Sequence, residues 1–272
     1  MNFRLLKPSE YAWYSEQLKQ FEVQFNYPLG EQQFQINHGA SGGNYFAFFQ
    51  RLGQENFFVF EHHGKLLGVG CAILRKVGNQ CFWYLCDFKL NKSVRGKNRL
   101  FYLLIRYLIP FYCKSKNLVV VNMSAPNNNW LVKKITSILF FLKLKVQPIY
   151  FYEWTHDEYE EAVRTIPEAF SDLACYTNYG YKDIIIEGEV RPIIHLVNKD
   201  HARINLPSLS TVGVNNAVFR EMKNKPTFML ATNKKLNTHI FNQRQVTPSY
   251  VGTMICSKAI NEEKLRFSSL EI

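Results

Sequence analysis

Several features that would assign a protein class are missing from this 272-residue sequence. Its six cysteines are scattered, with no CxxC pair and no matching group of histidines, so neither a disulfide framework nor a structural zinc site is predicted. No collagen-like, glutamine-rich or proline-rich tract occurs, which excludes fibrous and low-complexity classes. The adjacent His62 and His63 precede Gly64 and are interpreted as a turn between strands rather than as metal ligands.

A long uninterrupted apolar segment is also lacking. Charged residues and a proline occur within the first few positions, which leaves no room for the apolar region of a secretory signal. No secretory signal is therefore predicted, and a cytoplasmic location is expected. The most apolar run begins at Ile135 and is interrupted by Lys143 and Lys145, well short of the roughly 20 residues that cross a bilayer. We expect no membrane span, and we interpret the run as a core element. The alternative is a short helix on a membrane surface.

Acidic residues are the scarcer charged type, since 22 Asp and Glu stand against 33 Lys and Arg, giving a net charge of +11. This excess favours anionic partners, including nucleic acid, phosphorylated cofactors and anionic membranes, without choosing among them. Hydrophobic residues make up 47% of the chain and aromatic residues 15%, which is enough for a large, sheet-rich core. The choice of partner therefore depends on whether the basic residues cluster at a defined place.

The hydrophobic pattern of the first part predicts an α+β order that begins with a short strand. Helices are expected from Pro8, within "NYFAFFQRLG", after Arg99 and after "APNNN". The later strands are expected, in order, at about 56–62, 66–76, 81–90 and 117–123 and in "VQPIYFYEW". Because the first three of these follow one another closely, they predict an antiparallel meander within a mixed, mainly antiparallel sheet flanked by helices.

Beyond Thr155 the pattern predicts a second, smaller α+β unit. Its elements are a helix in "HDEYEEAVRTIPEAF", a hairpin formed by "KDIIIEG" and "RPIIHLVN", and then a strand, a helix and a strand. No Gly/Ser-rich linker separates the two parts. We therefore expect a first domain of residues 1–155 and a second domain of residues 156–272 that pack closely together.

A basic turn joins the third meander strand to the helix that follows it. Arg95, Lys97 and Arg99 surround Gly96 at this junction. Free backbone N–H groups and the helix dipole bind phosphate at such a position, glycine permits close approach, and the cations add charge-assisted hydrogen bonds. The spacing matches neither GxGxxG nor GxxxxGK followed by Ser or Thr. The turn therefore predicts a phosphate site of another kind.

The segment "LCDFKLNKSVRGKNRLFYLLIRYL" resembles the acyl-CoA-binding motif of the GNAT N-acyltransferase superfamily. In that motif a loop of the form Q/R-x-x-G-x-G/A holds the pyrophosphate and pantetheine of coenzyme A. The preceding meander and the following "NLVVVNMSAPNNNWLV" match the family's order over roughly residues 1–155. The resemblance implies a GNAT-type sheet, acetyl-CoA or another acyl-CoA as co-substrate, and no metal. Ser93 and Asn98 depart from the loop pattern, and the bulk of Asn98 would narrow the pyrophosphate seat.

The resemblance also implies which residues contact the donor. The cofactor-binding set is Phe88, Lys89 and Leu90, whose backbone would face pantetheine, together with Arg95, Gly96, Lys97, Asn98, Arg99 and Asn127. Asn127, like Asn129, would either hydrogen-bond the pantetheine arm or cap the helix that begins there.

Transfer to an amine requires a group that accepts the amine proton. Asp87 is the expected general base, because the family often places a carboxylate on this strand and because Phe82, Trp83 and Phe88 would surround it with apolar groups. The alternative interpretation of Asp87 is a polar residue that marks the splayed end of the strand. Glu61, at the end of the first meander strand, is the alternative base.

The family's usual general acid is missing. Alignment of the motif brings Lys134 to the position of that tyrosine, and no tyrosine occurs between Tyr112 and Tyr150. Tyr150, Cys113 or water would then protonate the thiolate, or the activity would be impaired.

Together these features predict an N-acyltransferase that moves an acetyl or other acyl group from CoA to a primary amine of a small-molecule or peptide acceptor. The alternatives are a non-catalytic GNAT-like binding or scaffold protein and, less favoured, a nucleic-acid-binding protein. The second half has no basic glycine loop and is interpreted as a degenerate GNAT-like unit or an unrelated α+β cap. Residues 24–50 and the second half are expected to shape the acceptor site; neither the acceptor nor the oligomeric state has a signature in the sequence.

Overall fold

The computed structural model describes residues 2–29, 32–39, 43–77, 79–94, 114–123, 130–139, 143–205, 225–233, 247–260 and 267–272. The strands are β1 (Asn2–Leu5), β2 (Tyr27–Leu29), β3 (Gln32–His38), β4 (Gln54–His62), β5 (Lys65–Val77), β6 (Gln80–Leu90), β7 (Leu118–Asn122), β8 (Leu144–Trp154), β9 (Leu173–Thr177), β10 (Lys182–Ile186), β11 (Glu189–Arg191), β12 (Ile193–Asn198), β13 (Thr227–Asn233) and β14 (Tyr250–Ser257). The α-helices are α1 (Tyr11–Glu22), α2 (Ala47–Gln50), α3 (Trp130–Ile138), α4 (His156–Thr165), α5 (Pro167–Phe170) and α6 (Lys199–Asn205). None of the helices in these ranges has the length and apolar character needed to span a bilayer.

A ten-stranded sheet runs through both halves of the chain in the order β1-β4-β5-β6-β7-β14-β8-β13-β12-β9. Strands β4, β5 and β6 form the expected antiparallel meander. Strand β6 pairs parallel with β7, and β12 pairs parallel with β13, whereas the other neighbours in this sheet are antiparallel. The predicted α+β class with a mixed, mainly antiparallel sheet is confirmed.

Eight of these strands, from β5 to β9 in the sheet order, have a symmetric pattern of parallel and antiparallel pairing. An antiparallel pair leads into a parallel pair on both sides, β5-β6-β7 in the first half and β9-β12-β13 in the second. Between them lie β14 and β8, antiparallel to each other, with β14 beside β7 and β8 beside β13. Strand β14 of the second half therefore extends the parallel pair of the first half, and β8 of the first half extends the parallel pair of the second. Two repeated units that exchange one strand each would give this arrangement.

Apolar side chains cover both faces of the large sheet. On one face α1 buries Tyr11, Tyr14, Leu18 and Phe21, whose spacing of three and four residues makes one helix stripe. The other face packs against α3 beside the first-half strands and against α4 and α5 beside the second-half strands. Helix α4 begins where the sequence allows a reciprocal cap, because Thr155 and Glu158 each bond to the other's backbone.

A second sheet of four strands has the order β11-β10-β3-β2. The predicted hairpin between "KDIIIEG" and "RPIIHLVN" is wrong in its second strand. The chain turns at Glu187 and Gly188, both at positive φ, and β10 pairs with the short β11. Pro192 follows directly and has no N–H for this ladder, so the chain leaves it and β12 joins the large sheet instead.

Candidate functional site

A β-bulge distorts β6 near its C-terminal end. Asp87 and Phe88 together face the single residue Gly70 of β5, between two regular pairs. Asp87 has φ +57°, and a Cβ on Gly70 would lie 2.6 Å from the Phe88 ring. Because of the extra residue, Lys89 lies on the same face as Cys86, which simple alternation would not allow.

The parallel ladder between β6 and β7 stops just before this bulge. Its last pair is Leu85 with Val120, although β6 continues to Leu90 and β7 continues to Asn122. On its other edge β7 stays paired with β14 as far as Asn122. The sheet is therefore interrupted between β6 and β7 at the level of Phe88 and Lys89, which is where the motif resemblance places pantetheine.

A buried polar network connects the bulge to α1 and β3. The Lys89 ammonium lies 2.7 Å from Glu22 Oε1 and forms an ion pair with Asp87. The Tyr45 hydroxyl donates to Asp87 Oδ2 at 2.6 Å, while Glu22 accepts the His38 backbone N–H at 2.8 Å and lies 2.7 Å from His38 Nδ1. The side chains of Glu22, Asp87 and Lys89 are at most 4% exposed. Both oxygens of Asp87 are therefore engaged inside the protein.

The network favours its ionised state. Burial raises the pKa of Glu22, but His38 and Lys89 outweigh this effect and lower it to about 2. Burial also tends to lower the pKa of Lys89, and the carboxylates of Asp87 and Glu22 reverse this and raise it above its ordinary value. At neutral pH Glu22 is therefore an ionised carboxylate paired with the buried Lys89 ammonium.

The surroundings of Asp87 differ from those predicted. Two of the three aromatic residues expected around it lie elsewhere: Phe88 is 42% exposed, and Trp83 packs in the cluster on the opposite face of the sheet. The bulge instead turns the carboxylate toward Tyr45 and Lys89. The prediction of a purely apolar setting is wrong, because the carboxylate lies among polar partners. The role of Asp87 as general base stays a prediction.

Glu22, His38 and Asp87 also place ligand atoms within 4.8 Å of one another, as metal ligands would be. The Lys89 ammonium contacts two of the three, Glu22 and Asp87. These carboxylates therefore already have a cation between them, and the group is an internal ion-pair network rather than a set of free ligands.

Glu61, the alternative base, belongs to a different group of side chains. It accepts a hydrogen bond from the Tyr14 hydroxyl at 2.6 Å and lies 3.6 Å from Arg4 Nε. Arg4 in turn pairs with Glu10 at 2.7 Å. These contacts connect Glu61 to β1 and α1, so the structure does not bring it together with the partners of Asp87.

The basic turn falls outside the described residues. Arg95, Gly96, Lys97, Asn98, Arg99, Asn127 and Cys113 all lie there, and their predicted roles stay predictions. The described chain reaches Val94, which is buried at the end of a 3₁₀ turn (Lys92–Val94). Lys134 lies on α3, and Tyr150 packs against the cluster formed with α4 and α5.

A cleft lies between the two sheets, with about 940 Å³ of empty space that includes open solvent. Its walls are largely apolar and include Phe34, Ile36, Phe151, Ile184, Ile193 and Met229. Met123, directly after β7, also lines the cleft. The cleft therefore lies next to the interrupted β6–β7 ladder. The lining comes largely from β3 and the second half of the chain, the regions expected to shape an acceptor site.

Two basic side chains in the cleft have pKa values well below their ordinary values. Burial and the nearby Lys89 lower the pKa of Lys182 to about 8, and its ammonium donates to the main-chain oxygen of Ile272. Burial, aided by Lys182, lowers the pKa of His195 to about 3, and His195 Nδ1 lies 3.0 Å from Ser269 Oγ. Lys182 therefore couples the cleft electrostatically to the network at the bulge, whereas His195 is neutral at pH 7.

The second half repeats the interrupted ladder, and its strand-to-helix junction lies within the described residues. The β12–β13 pairing ends at Leu196 and Leu230, although both strands continue. Helix α6 follows at once, and Asn198 Oδ1 accepts the His201 backbone N–H, with Asp200 in the first turn. This helix start is capped by the chain's own side chain and carries an acidic group, so it is not suited to a phosphate.

Comparison with solved structures agrees with this architecture. The chain is similar to a tandem GNAT protein from the clavulanic acid biosynthesis pathway, with 9% identity over 94% of this chain and 98% of that one and a TM-score of 0.50. A protein described as an acetyltransferase from Pyrococcus horikoshii covers 94% of this chain and 88% of its own at 10% identity and a TM-score of 0.44. An aminoglycoside acetyltransferase from an uncultured soil metagenomic sample covers 51% of this chain and 89% of its own at 17% identity and a TM-score of 0.36.

No protein-family model matches the sequence, and no curated protein matches it significantly. The chain has the fold of the GNAT acetyltransferases. More specifically, it contains two GNAT-type units, as the tandem protein does, and the strand order described above shows how they share one sheet.

Proposed function

We propose that this protein is an acyl-CoA-dependent N-acyltransferase that transfers an acetyl or other acyl group to a primary amine. The observation that carries the proposal is the β6–β7 ladder, which stops at Leu85 and Val120 beside the bulge at Asp87. Within the described residues, β7 does not pair with β6 beyond Leu85, so an amide-rich chain such as pantetheine would bond to the β6 backbone at Phe88 and Lys89 without displacing β7.

The donor would run from this interruption to the basic turn. Phe88, Lys89 and Leu90 would hold pantetheine through their backbone, while the predicted phosphate seat at Gly96 would hold the pyrophosphate. Asn127 would contact the arm from the β7 side or cap its helix. We propose one donor site for each chain, because the corresponding junction of the second half is capped by Asn198.

The acceptor would enter through the cleft that Met123 borders. Asp87 is the proposed proton acceptor, with Glu61 as the alternative. Since Lys89 and Tyr45 occupy both Asp87 oxygens, the amine proton would reach this carboxylate through the Tyr45 hydroxyl or after Lys89 shifts toward Glu22. Transfer forms the amide bond, breaks the C–S bond and leaves CoA as a thiolate that takes up a proton.

Donor binding is tested by calorimetric titration of acetyl-CoA into the wild type, Gly96→Trp and Lys76→Trp. Lys76 is exposed at the far end of the β5–β6 hairpin and serves as a matched control for the added indole. We expect one acetyl-CoA for each wild-type and Lys76→Trp chain, and an affinity at least tenfold lower for Gly96→Trp. Equal affinity for all three proteins, or no binding to the wild type, would contradict the proposal.

Catalysis is tested by measuring CoA thiol release from acetyl-CoA with a library of primary amines. Asp87→Asn should lower kcat by about 10²- to 10⁴-fold, the range for loss of a general base. Glu61→Gln is measured in the same way. The substitution that lowers kcat identifies which of the two carboxylates is the base. Acetyl-CoA binding without transfer to any amine would favour the non-catalytic GNAT-like scaffold.

A further inference from the structure

The β8 wall of the cleft carries a carboxylate with unusual neighbours. Glu153 on β8 is partly buried and lines the cleft. The Tyr250 hydroxyl donates to Met229 Sδ at 3.7 Å, and burial together with the nearby Glu153 carboxylate raises the pKa of Tyr250. The Tyr250 ring stacks on Phe151, with ring centroids 4.5 Å apart and an angle of 12° between the planes.

This group of side chains suits an organic cation. A carboxylate attracts an ammonium group, and aromatic faces beside it add cation–π attraction. Burial raises the pKa of Glu153, while the Tyr250 hydroxyl and the exposed Arg191 lower it. A bound cation would stabilise the ionised carboxylate in surroundings that otherwise disfavour it.

The strand register gives the distance from this group to the interrupted ladder. Asn122 is opposite Thr253, and Thr253 is opposite Pro148, five residues before Glu153 on β8. Met123 extends β7 by one residue toward Glu153. Four residues along the strand and two strand spacings across the sheet amount to about 17 Å at ~3.4 Å for each residue and ~4.8 Å for each strand. Apolar residues such as Phe34, Ile184 and Ile193 line the same cleft.

We propose that Glu153, together with Tyr250 and Phe151, forms a cation subsite that selects elongated amines with an apolar middle and an ammonium group at the far end. The near amino group would be the one acylated, and that part of the inference rests on the proposed function. Binding of the far ammonium does not depend on it.

Calorimetry with α,ω-diaminoalkanes of six to fourteen carbons and the matching 1-aminoalkanes tests the subsite directly. We expect wild-type protein to bind the diamine of best-fitting length about 10- to 100-fold more tightly than its monoamine, the effect of one charge-assisted hydrogen bond. Glu153→Gln should remove this advantage and leave monoamine affinity unchanged. Glu161→Gln, which changes an exposed glutamate on α4, should behave as the wild type.

Equal affinity of wild-type protein for diamines and monoamines at every length would overturn the subsite, as would an advantage that persists in Glu153→Gln. If Glu153→Gln does not fold, Tyr250→Phe serves in its place, with an expected partial loss of the advantage. Acetyl-CoA titration separates this test from the proposed function. A diamine advantage without acetyl-CoA binding would leave the subsite standing and refute the acyltransferase, and acetyl-CoA binding without the advantage would do the reverse.

Discussion

Replacement of Lys89 by methionine isolates the buried network at the β6 bulge. The substitution keeps most of the side-chain volume and removes the ammonium that contacts Glu22 and Asp87. After it, Glu22 retains His38, and Asp87 retains the Tyr45 hydroxyl. Removing one partner from a buried ion pair typically costs about 3–5 kcal/mol. A single domain has only ~5–15 kcal/mol of stability, so a loss of this size decides whether the protein stays folded on mild denaturation.

The pH dependence of the free energy of unfolding gives the sharper test. In the wild type the pKa of Glu22 is lowered from 4.5 to about 2, so its contribution is fully present above pH 4.5 and is lost as pH falls through 4.5 toward 2. In Lys89→Met the pKa of Glu22 should rise from about 2 toward 4.5, because His38 alone then opposes the effect of burial. The proton binding of the folded variant is then closer to that of the unfolded chain, so its stability should fall less than that of the wild type between pH 5 and pH 3.

Urea unfolding followed by far-UV circular dichroism at pH 7, pH 5 and pH 3 measures both effects. Lys65→Met, at an exposed position where β5 begins, is the control and should change stability by less than about 0.5 kcal/mol. The reasoning would be refuted if Lys89→Met matched the wild type at pH 7. It would also be refuted if the variant lost as much stability as the wild type between pH 5 and pH 3.

Two further predictions concern the sheet. Gly70→Ala should lower the free energy of unfolding by about 1–3 kcal/mol in urea titration, because the new Cβ would meet the Phe88 ring at 2.6 Å; an unchanged midpoint would contradict the bulge geometry. His195, with its pKa lowered from 6.5 to about 3, should contribute stability that is present above pH 6.5 and lost as pH falls toward 3. His195→Gln should therefore show a flatter dependence of Tm on pH between 6.5 and 4, and identical slopes would argue against a buried neutral imidazole.

Local patterns predicted the elements of the first half well. The strands expected at 56–62, 66–76 and 81–90 occur at Gln54–His62, Lys65–Val77 and Gln80–Leu90, because alternation and the turn at Gly64 are properties of neighbouring residues. Strands β2 and β3 were missed. The alternation of Phe34 and Ile36 in "QQFQINH" was a usable signal, although polar residues dominate that segment.

The site was less predictable, because its geometry depends on distant contacts. "CDFKL" contains no glycine or proline that would indicate a bulge. The residue that makes room for the Phe88 ring is Gly70 on the neighbouring strand. The partners of Lys89 lie on α1 and β6, and Glu22 is 67 positions away in the chain. Glu153 and Tyr250 were not singled out because no motif connects them; only the register of β8 with β14 brings them together.

The exchange of strands between the halves also bears on how the protein is made. During synthesis the edges of β7 and β8 emerge long before β14, since roughly 100 residues separate Trp154 from Tyr250. At ~5–20 residues per second the ribosome needs about 5–20 s to deliver that partner. The newly made first half thus waits with three exposed strand edges, one on β7 and two on β8, and a chaperone that shields such edges would act in that interval.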